Sequence, residues 1–205
     1  MDQKCHCKLE VNQIKRGVFA PTFEGVLCEK AQIEFDKFCT IPIVPIGQLY
    51  GGKICAALAR QHPRDLFDIK NLLNTDGFSE EIKKGFLLGL LGSDRSIHEI
   101  ISPNILNQQS VLENQFEGMT DEIFTYDEFK KLRIRLITTI QDHLTEYDRK
   151  FLLDIMRLEP DWSQYPFQYF PSVRWKLRNI EALKEMNEKK YRDHLEALAQ
   201  SLLMN

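Results

Sequence analysis

From residue 47 to its C-terminal end this chain repeats its apolar residues at helical spacing, and only one stretch before that, Lys8-Leu9-Glu10-Val11-Asn12, alternates polar and apolar as a half-buried strand does. A strand needs hydrogen-bonded neighbours. The other candidate, Pro42-Ile43-Val44-Pro45-Ile46, is short and broken by proline. The pattern predicts an α+β fold that is predominantly α, with a remnant of a sheet ahead of a helical domain. It also implies that the sheet's other strands lie outside the chain.

The helical part divides at its own punctuation. Residues 48–61 form one helix, His62-Pro63 breaks it, residues 64–73 form the next, and Asn74-Thr75-Asp76-Gly77 ends it. Ser79-Glu80-Glu81 opens another, with its apolar body at 86–91 and Gly92 as its stop. A short segment covers 96–101 before Pro103. Thr125 with Glu128, and Thr145 with Asp148, are capping boxes. The first opens a helix reaching about residue 144 with Leu132, Leu136 and Ile140 on one face, and the second opens one over 151–156. A loop rich in aromatics and proline fills 159–171, and helical periodicity resumes from 173. The domain boundary falls after Gly77, giving residues 1–77 and 78–205.

Composition narrows the function classes. With 27 Lys and Arg against 30 Asp and Glu, the net charge of −3 gives no global attraction to nucleic acid or anionic membrane, so any such site is local. The longest strongly apolar runs, such as 86–91, are far below the roughly 18–20 residues of a membrane helix. Charges at Asp2, Lys4, Lys8 and Glu10 exclude a signal-peptide core from the first ten residues. Five cysteines form an odd, sparse set that suits reduced thiols, so a cytoplasmic location is expected.

The residues that carry chemistry cluster between 53 and 68. Helix 49–60 is apolar nearly all round, and its only charges, Lys53 and Arg60, lie seven apart on one stripe. In the next helix Asp65 falls inside the apolar arc of Leu66, Ile69, Leu72 and Leu73, with Asp68 three residues on. Folding back at His62-Pro63 brings the two cations to the two carboxylates, and Arg64 can add a bidentate partner. Two readings remain open on pattern alone. One is a buried salt-bridge cluster fixing the corner. The other is a site for polyanion and metal, since lysine suits phosphate and aspartate suits Mg²⁺.

The run Leu49-Tyr50-Gly51-Gly52-Lys53-Ile54-Cys55-Ala56-Ala57-Leu58, followed by Arg60-Gln61-His62-Pro63-Arg64-Asp65-Leu66-Phe67-Asp68, resembles the lysine and Arg-Asp-x-x-Asp motifs of the AbiEii/AbiGii toxin family, nucleotidyltransferases of the polymerase-β-like superfamily. Supporting similarity lies in Lys8-Leu9-Glu10-Val11, Arg16-Gly17, Glu117-Gly118-Met119-Thr120, Glu159-Pro160-Asp161-Trp162 and Val173-Arg174-Trp175-Lys176-Leu177. The resemblance implies a toxin of a toxin–antitoxin or abortive-infection system that transfers a nucleotide from an NTP to an acceptor, tRNA for several members, with Mg²⁺. It implies that Lys53 sits near the nucleotide phosphates, that Asp65 is the acidic motif residue, and that Arg64 and Asp68 frame it. Lys53, Arg60 and Arg64 would bind the nucleotide, and Glu10 would add a metal carboxylate. Residues 1–77 would be the C-terminal part of a nucleotidyltransferase-like domain. The family's Gly-Ser turn and Asp-x-Asp should precede the Lys8–Val11 strand and have no counterpart here, so the expectation is a truncated chain, inactive alone. The alternative is a non-catalytic module that binds RNA or an antitoxin.

Other signals are weaker. Cys5-His6-Cys7 has no second pair at zinc spacing, and alternate strand residues face opposite ways. Cys28, Cys39 and Cys55 read as buried or idle thiols. Gly51-Gly52-Lys53 is too short for a phosphate loop. The loop Trp162, Tyr165, Phe167, Tyr169, Phe170 leading to Arg174, Trp175, Lys176 and Arg178 reads either as a packed clamp or as a single-stranded RNA surface. Lys130, Lys131, Arg133 and Arg135 read as a solvated basic edge that could meet an acidic partner.

Overall fold

The structure is a computed structural model that describes residues 17–75 and 77–203. The Lys8–Asn12 pattern, its Glu10, and Cys5-His6-Cys7 lie outside the described residues. The described chain runs β1 (Phe23–Val26), α1 (Glu29–Phe35), β2 (Thr40–Ile43), α2 (Ile46–Arg60), α3 (Pro63–Thr75), α4 (Glu80–Leu91), α5 (Ile97–Ile101), α6 (Gln109–Gln115), α7 (Tyr126–His143), α8 (Glu146–Arg157), α9 (Pro171–Met186) and α10 (Glu188–Leu203). Among the described residues, an α+β fold that is predominantly α is what the chain adopts.

The described sheet is one antiparallel pair, Phe23 opposite Ile43 and Val26 opposite Thr40. Periodicity missed β1 because Gly25 interrupts it. The Ile43 side chain lies over this glycine, since a Cβ there would come 2.0 Å from Ile43 Cδ1 and the isoleucine would have to shift. The 42–46 candidate is shifted: the strand is Thr40–Ile43, and Pro45 is the N-cap of α2. Helix α1 escaped notice because it buries no residue, leaving Ile33 and Phe35 exposed.

From α2 onward the helices share one core, built on fully buried Ile54, Leu58, Leu66, Phe86, Phe129, Phe151 and Phe167. Local capping sets several starts. Ser79 Oγ accepts from Ile82 N at 3.4 Å, Thr125 N donates to Glu128 Oε2 at 2.7 Å, and Thr145 N donates to Asp148 Oδ2 at 2.9 Å. Gly77 turns the chain out of α3 at φ +67°, its N–H donating to Leu72 O. The periodic segment after 173 is two helices, because Asn187 interrupts it and its Oδ1 accepts from Lys190 N at 3.0 Å as the N-cap of the second. Helix α10 packs on α5, α8 and α9.

The closest packing is α2 on α4, where glycines let the backbones touch. A Cβ on Gly51 would sit 2.1 Å from Gly85 C, and one on Gly85 would sit 1.8 Å from Gly47 O. Neither neighbour is a movable side chain. Gly85→Ala is therefore expected to destabilise by about 2–3 kcal/mol. Gly52→Ala on the same helix meets nothing within 4 Å and is expected to stabilise by about 0.5–1 kcal/mol through helix propensity. Denaturant midpoints of the two variants check both signs.

One buried polar network ties the aromatic loop to the bundle. Asp148, fully buried, accepts from Tyr165 Oη at 2.5 Å and from Lys83 Nζ at 3.2 Å while capping α8. Among the described residues, no helix is long and apolar enough to cross a membrane.

Candidate functional site

The corner between α2 and α3 is made by Gln61, whose φ of 52° is left-handed and whose N–H donates to Ala57 O at 2.8 Å, and by Pro63 at the first position of α3. The turn folds α3 back beside α2. Lys53 Nζ then reaches Asp68 Oδ2 at 2.5 Å, and Arg60 reaches Asp65 at 2.9 Å. Lys53, Arg60, Asp65 and Asp68 thus come together as two ion pairs on one side of the corner. Arg64 does not join them. Its side chain is exposed and makes no ion pair among the described residues, and its backbone N–H donates to His62 Nδ1 at 3.2 Å.

Of the two readings left open by the pattern, a fully buried cluster is not what the corner forms. The Lys53 and Asp68 side chains are 41% and 43% exposed, and Arg60 is 59% exposed against 15% for Asp65. A half-solvated pair of this kind adds at most about 1 kcal/mol to stability. The Lys53 ammonium is therefore within reach of a ligand.

Among the described residues there is no group of three or more His, Cys, Asp and Glu side chains that could hold a metal ion. Asp65 and Asp68 are each already neutralised by a cation, so the described residues do not fit a magnesium centre. The Cys5-His6-Cys7 and Glu10 candidates lie outside them.

Behind the corner stands a network that sequence reasoning missed. The Gln61 side chain is 2% exposed, donates to Asn104 O at 2.7 Å, and accepts from Leu106 N at 3.1 Å and Arg133 NH1 at 2.9 Å. Arg133 is 3% exposed and lies over the Phe129 ring, which corrects its assignment to a solvated edge. Burial holds its guanidinium pKa below the usual range. The signal was available, since Arg133 falls four residues after Phe129 and three before Leu136, on the apolar stripe. Lys130 is exposed and paired with Asp127, whereas Arg135 donates to Asn74 Oδ1 and Leu73 O.

The aromatic loop divides in two. Tyr165 and Phe167 are buried, and Trp162 packs edge-on to Phe151 at 5.7 Å, which is the clamp arrangement. Tyr169 is 70% exposed, with the Arg174 guanidinium 6.0 Å from its ring centre. Phe170 and Ser172 help line a cavity of about 530 Å³ between α2 and α4, whose other walls include Gln48, Gly52, Ala59, Arg60 and the loop Ser93-Asp94-Arg95.

Beneath that loop lies Lys176, 6% exposed, its Nζ donating to Ser93 O at 2.8 Å and Arg95 O at 2.5 Å. Burial pushes its pKa down to about 8 from 10.5. Between those values the unfolded chain binds the proton that the folded chain has lost, so stability rises with pH over that window and the penalty is complete below it. Unfolding across pH 7–10 is expected to show a gain of up to about 3 kcal/mol, abolished in Lys176→Met. The Tyr165 phenol acts oppositely only above its ordinary value of 10, because burial and the Asp148 hydrogen bond raise it.

Searches among curated proteins and among solved structures return no match. A family profile described as "Nucleotidyl transferase AbiEii toxin, Type IV TA system" matches residues 2–179, which takes in the whole α2–α3 corner, the aromatic loop and the start of α9. The chain belongs to the AbiEii nucleotidyl transferase toxin family of type IV toxin–antitoxin systems.

Proposed function

We propose that the α2–α3 corner is the nucleotide-handling edge of a cytoplasmic toxin that transfers a nucleotidyl group from an NTP to an acceptor, with tRNA as the acceptor class. The carrying observation is the juxtaposition of a half-exposed Lys53 with Asp68, and of Arg60 with Asp65, on a corner inside the matched region. Lys53 and Arg60 meet the triphosphate, and the exposed Arg64 closes on it from α3. In the transfer, an acceptor hydroxyl forms a bond to the α-phosphorus and its proton passes to Asp65. The bond to pyrophosphate breaks, and the cations balance the charge on the departing group. The proposal assigns Glu10 to Mg²⁺, which supplies further charge neutralisation when bound.

Titration of labelled NTP into the purified chain, followed by incubation with total tRNA, tests this. Saturable NTP binding by the chain is the expected result, with a labelled RNA product once the chain is joined to a segment carrying the Gly-Ser and Asp-x-Asp motifs, and absence of NTP binding overturns the reading. A second reading, RNA or antitoxin binding without transfer, is favoured by one observation: each carboxylate of the corner is already matched by a cation, as in a purely structural turn. It predicts RNA or antitoxin capture with no NTP consumed.

A further inference from the structure

A nucleotidyl transferase holds two substrates, and the corner accounts for the NTP alone. We infer that the cavity between α2, α4 and the Phe170 turn receives the terminal nucleotide of the acceptor strand, with Phe170 as its apolar wall and Arg95 as its phosphate contact. This inference takes its substrate class from the transferase reading.

Position carries the first part of the argument. At 100° per residue, Lys53 and Arg60 lie about 20° apart on α2, while the cavity-lining Gly52, Ala56 and Ala59 centre about 80° further round. The cavity and the corner are therefore neighbouring flanks of one helix. Arg60 belongs to both, since it lines the cavity and pairs with Asp65.

Size and chemistry carry the second part. A volume of about 530 Å³ falls within the roughly 300–1,000 Å³ of small-ligand pockets. Its α2 wall is low, since a Cβ on Gly52 would meet nothing within 4 Å. The Arg95 side chain is exposed and forms no ion pair among the described residues. Its loop is nevertheless fixed, because Lys176 binds the carbonyls of Ser93 and Arg95 from below. A guanidinium on a pinned backbone is a preorganised phosphate contact. Asp94, on the same loop and also lining the cavity, offers a carboxylate to the ribose hydroxyls. Beyond Phe170, exposed Tyr169 with Arg174 beside its ring presents a stacking face and a cation to the preceding nucleotide, the combination single-stranded sites use.

The test is fluorescence anisotropy of a 5′-labelled single-stranded oligoribonucleotide with a free 3′-hydroxyl. Gly52→Trp, which fills the cavity from an open helix position, is expected to weaken binding about tenfold. Arg95→Ala is expected to lower the slope of log K against log salt by about 0.7, the value for one single-strand phosphate. Wild-type affinity in Gly52→Trp, an unchanged slope in Arg95→Ala, or no RNA binding by the unaltered chain overturns the assignment. Displacement of the strand by an equal concentration of AMP also overturns it, by marking a free-mononucleotide site. Failure of the transferase reading is seen separately, as NTP binding that Lys53→Ala does not change.

Discussion

Replacing Lys53 with alanine is expected to weaken NTP binding about ten- to hundredfold, the worth of one charge-assisted contact. Transfer to an acceptor is expected to fall about a hundred- to thousandfold, as when one donor to a developing oxyanion is removed. Stability should change by less than about 1 kcal/mol, because the pair broken with Asp68 is half-solvated on both sides. That separation distinguishes a ligand-binding corner from a merely structural one. Asp65→Ala should leave NTP binding largely intact and remove transfer, since its proposed role is to take the acceptor's proton. Titration, transfer assay and urea unfolding on the same samples check all of this. A large loss of stability with normal NTP affinity would make the two ion pairs a fastening of the helix corner.

Asp148→Ala is expected to be the most destabilising single change in the bundle, by about 3–5 kcal/mol, the cost of stripping one partner from a buried charge pair. Asp148 serves three groups at once: the Thr145 N–H that starts α8, the Tyr165 hydroxyl and the Lys83 ammonium. Burial pushes the Lys83 pKa down, yet hydrogen bonds to Glu80 and Asp148 outweigh it and the pKa is raised. Without Asp148 that ammonium, 4% exposed, keeps only Glu80, which is itself 82% exposed. Adding Lys83→Met to Asp148→Ala should therefore recover a substantial part of the loss, because no unpaired charge is left inside. Urea unfolding of the two singles and the double gives the coupling directly, and simple additivity would show that the pair does not act as a unit.

What could be read in the sequence was what is decided within one turn of chain. Thr125 with Glu128 and Thr145 with Asp148 each carry a helix start in four residues, and His62-Pro63 carries the corner together with its ion pairs. What could not be read depends on which side of an element meets another. Arg133 carries the same charge as Lys130 and Lys131, and only the packing of α7 makes it a buried tie to Gln61. Asp65 lies on an apolar arc yet stays partly solvated, because the corner opens to water beside it. The packing of the Ile43 side chain over Gly25 is visible only once the two strands are paired. Glu10, read from a pattern ahead of the described residues, stays part of the proposal.

Helix α10 ties distant parts of the chain together. It packs against α5, about ninety residues earlier in sequence, as well as against α8 and α9. Tyr191, Leu198 and Leu202 are buried in that contact region, and their burial rewards the chain only after the entropy of closing the long α5–α10 loop has been overcome. Docking of α10 is therefore a late step in the closing of the bundle, and the contacts of α5 with α10 raise the contact order of an otherwise locally connected helical fold.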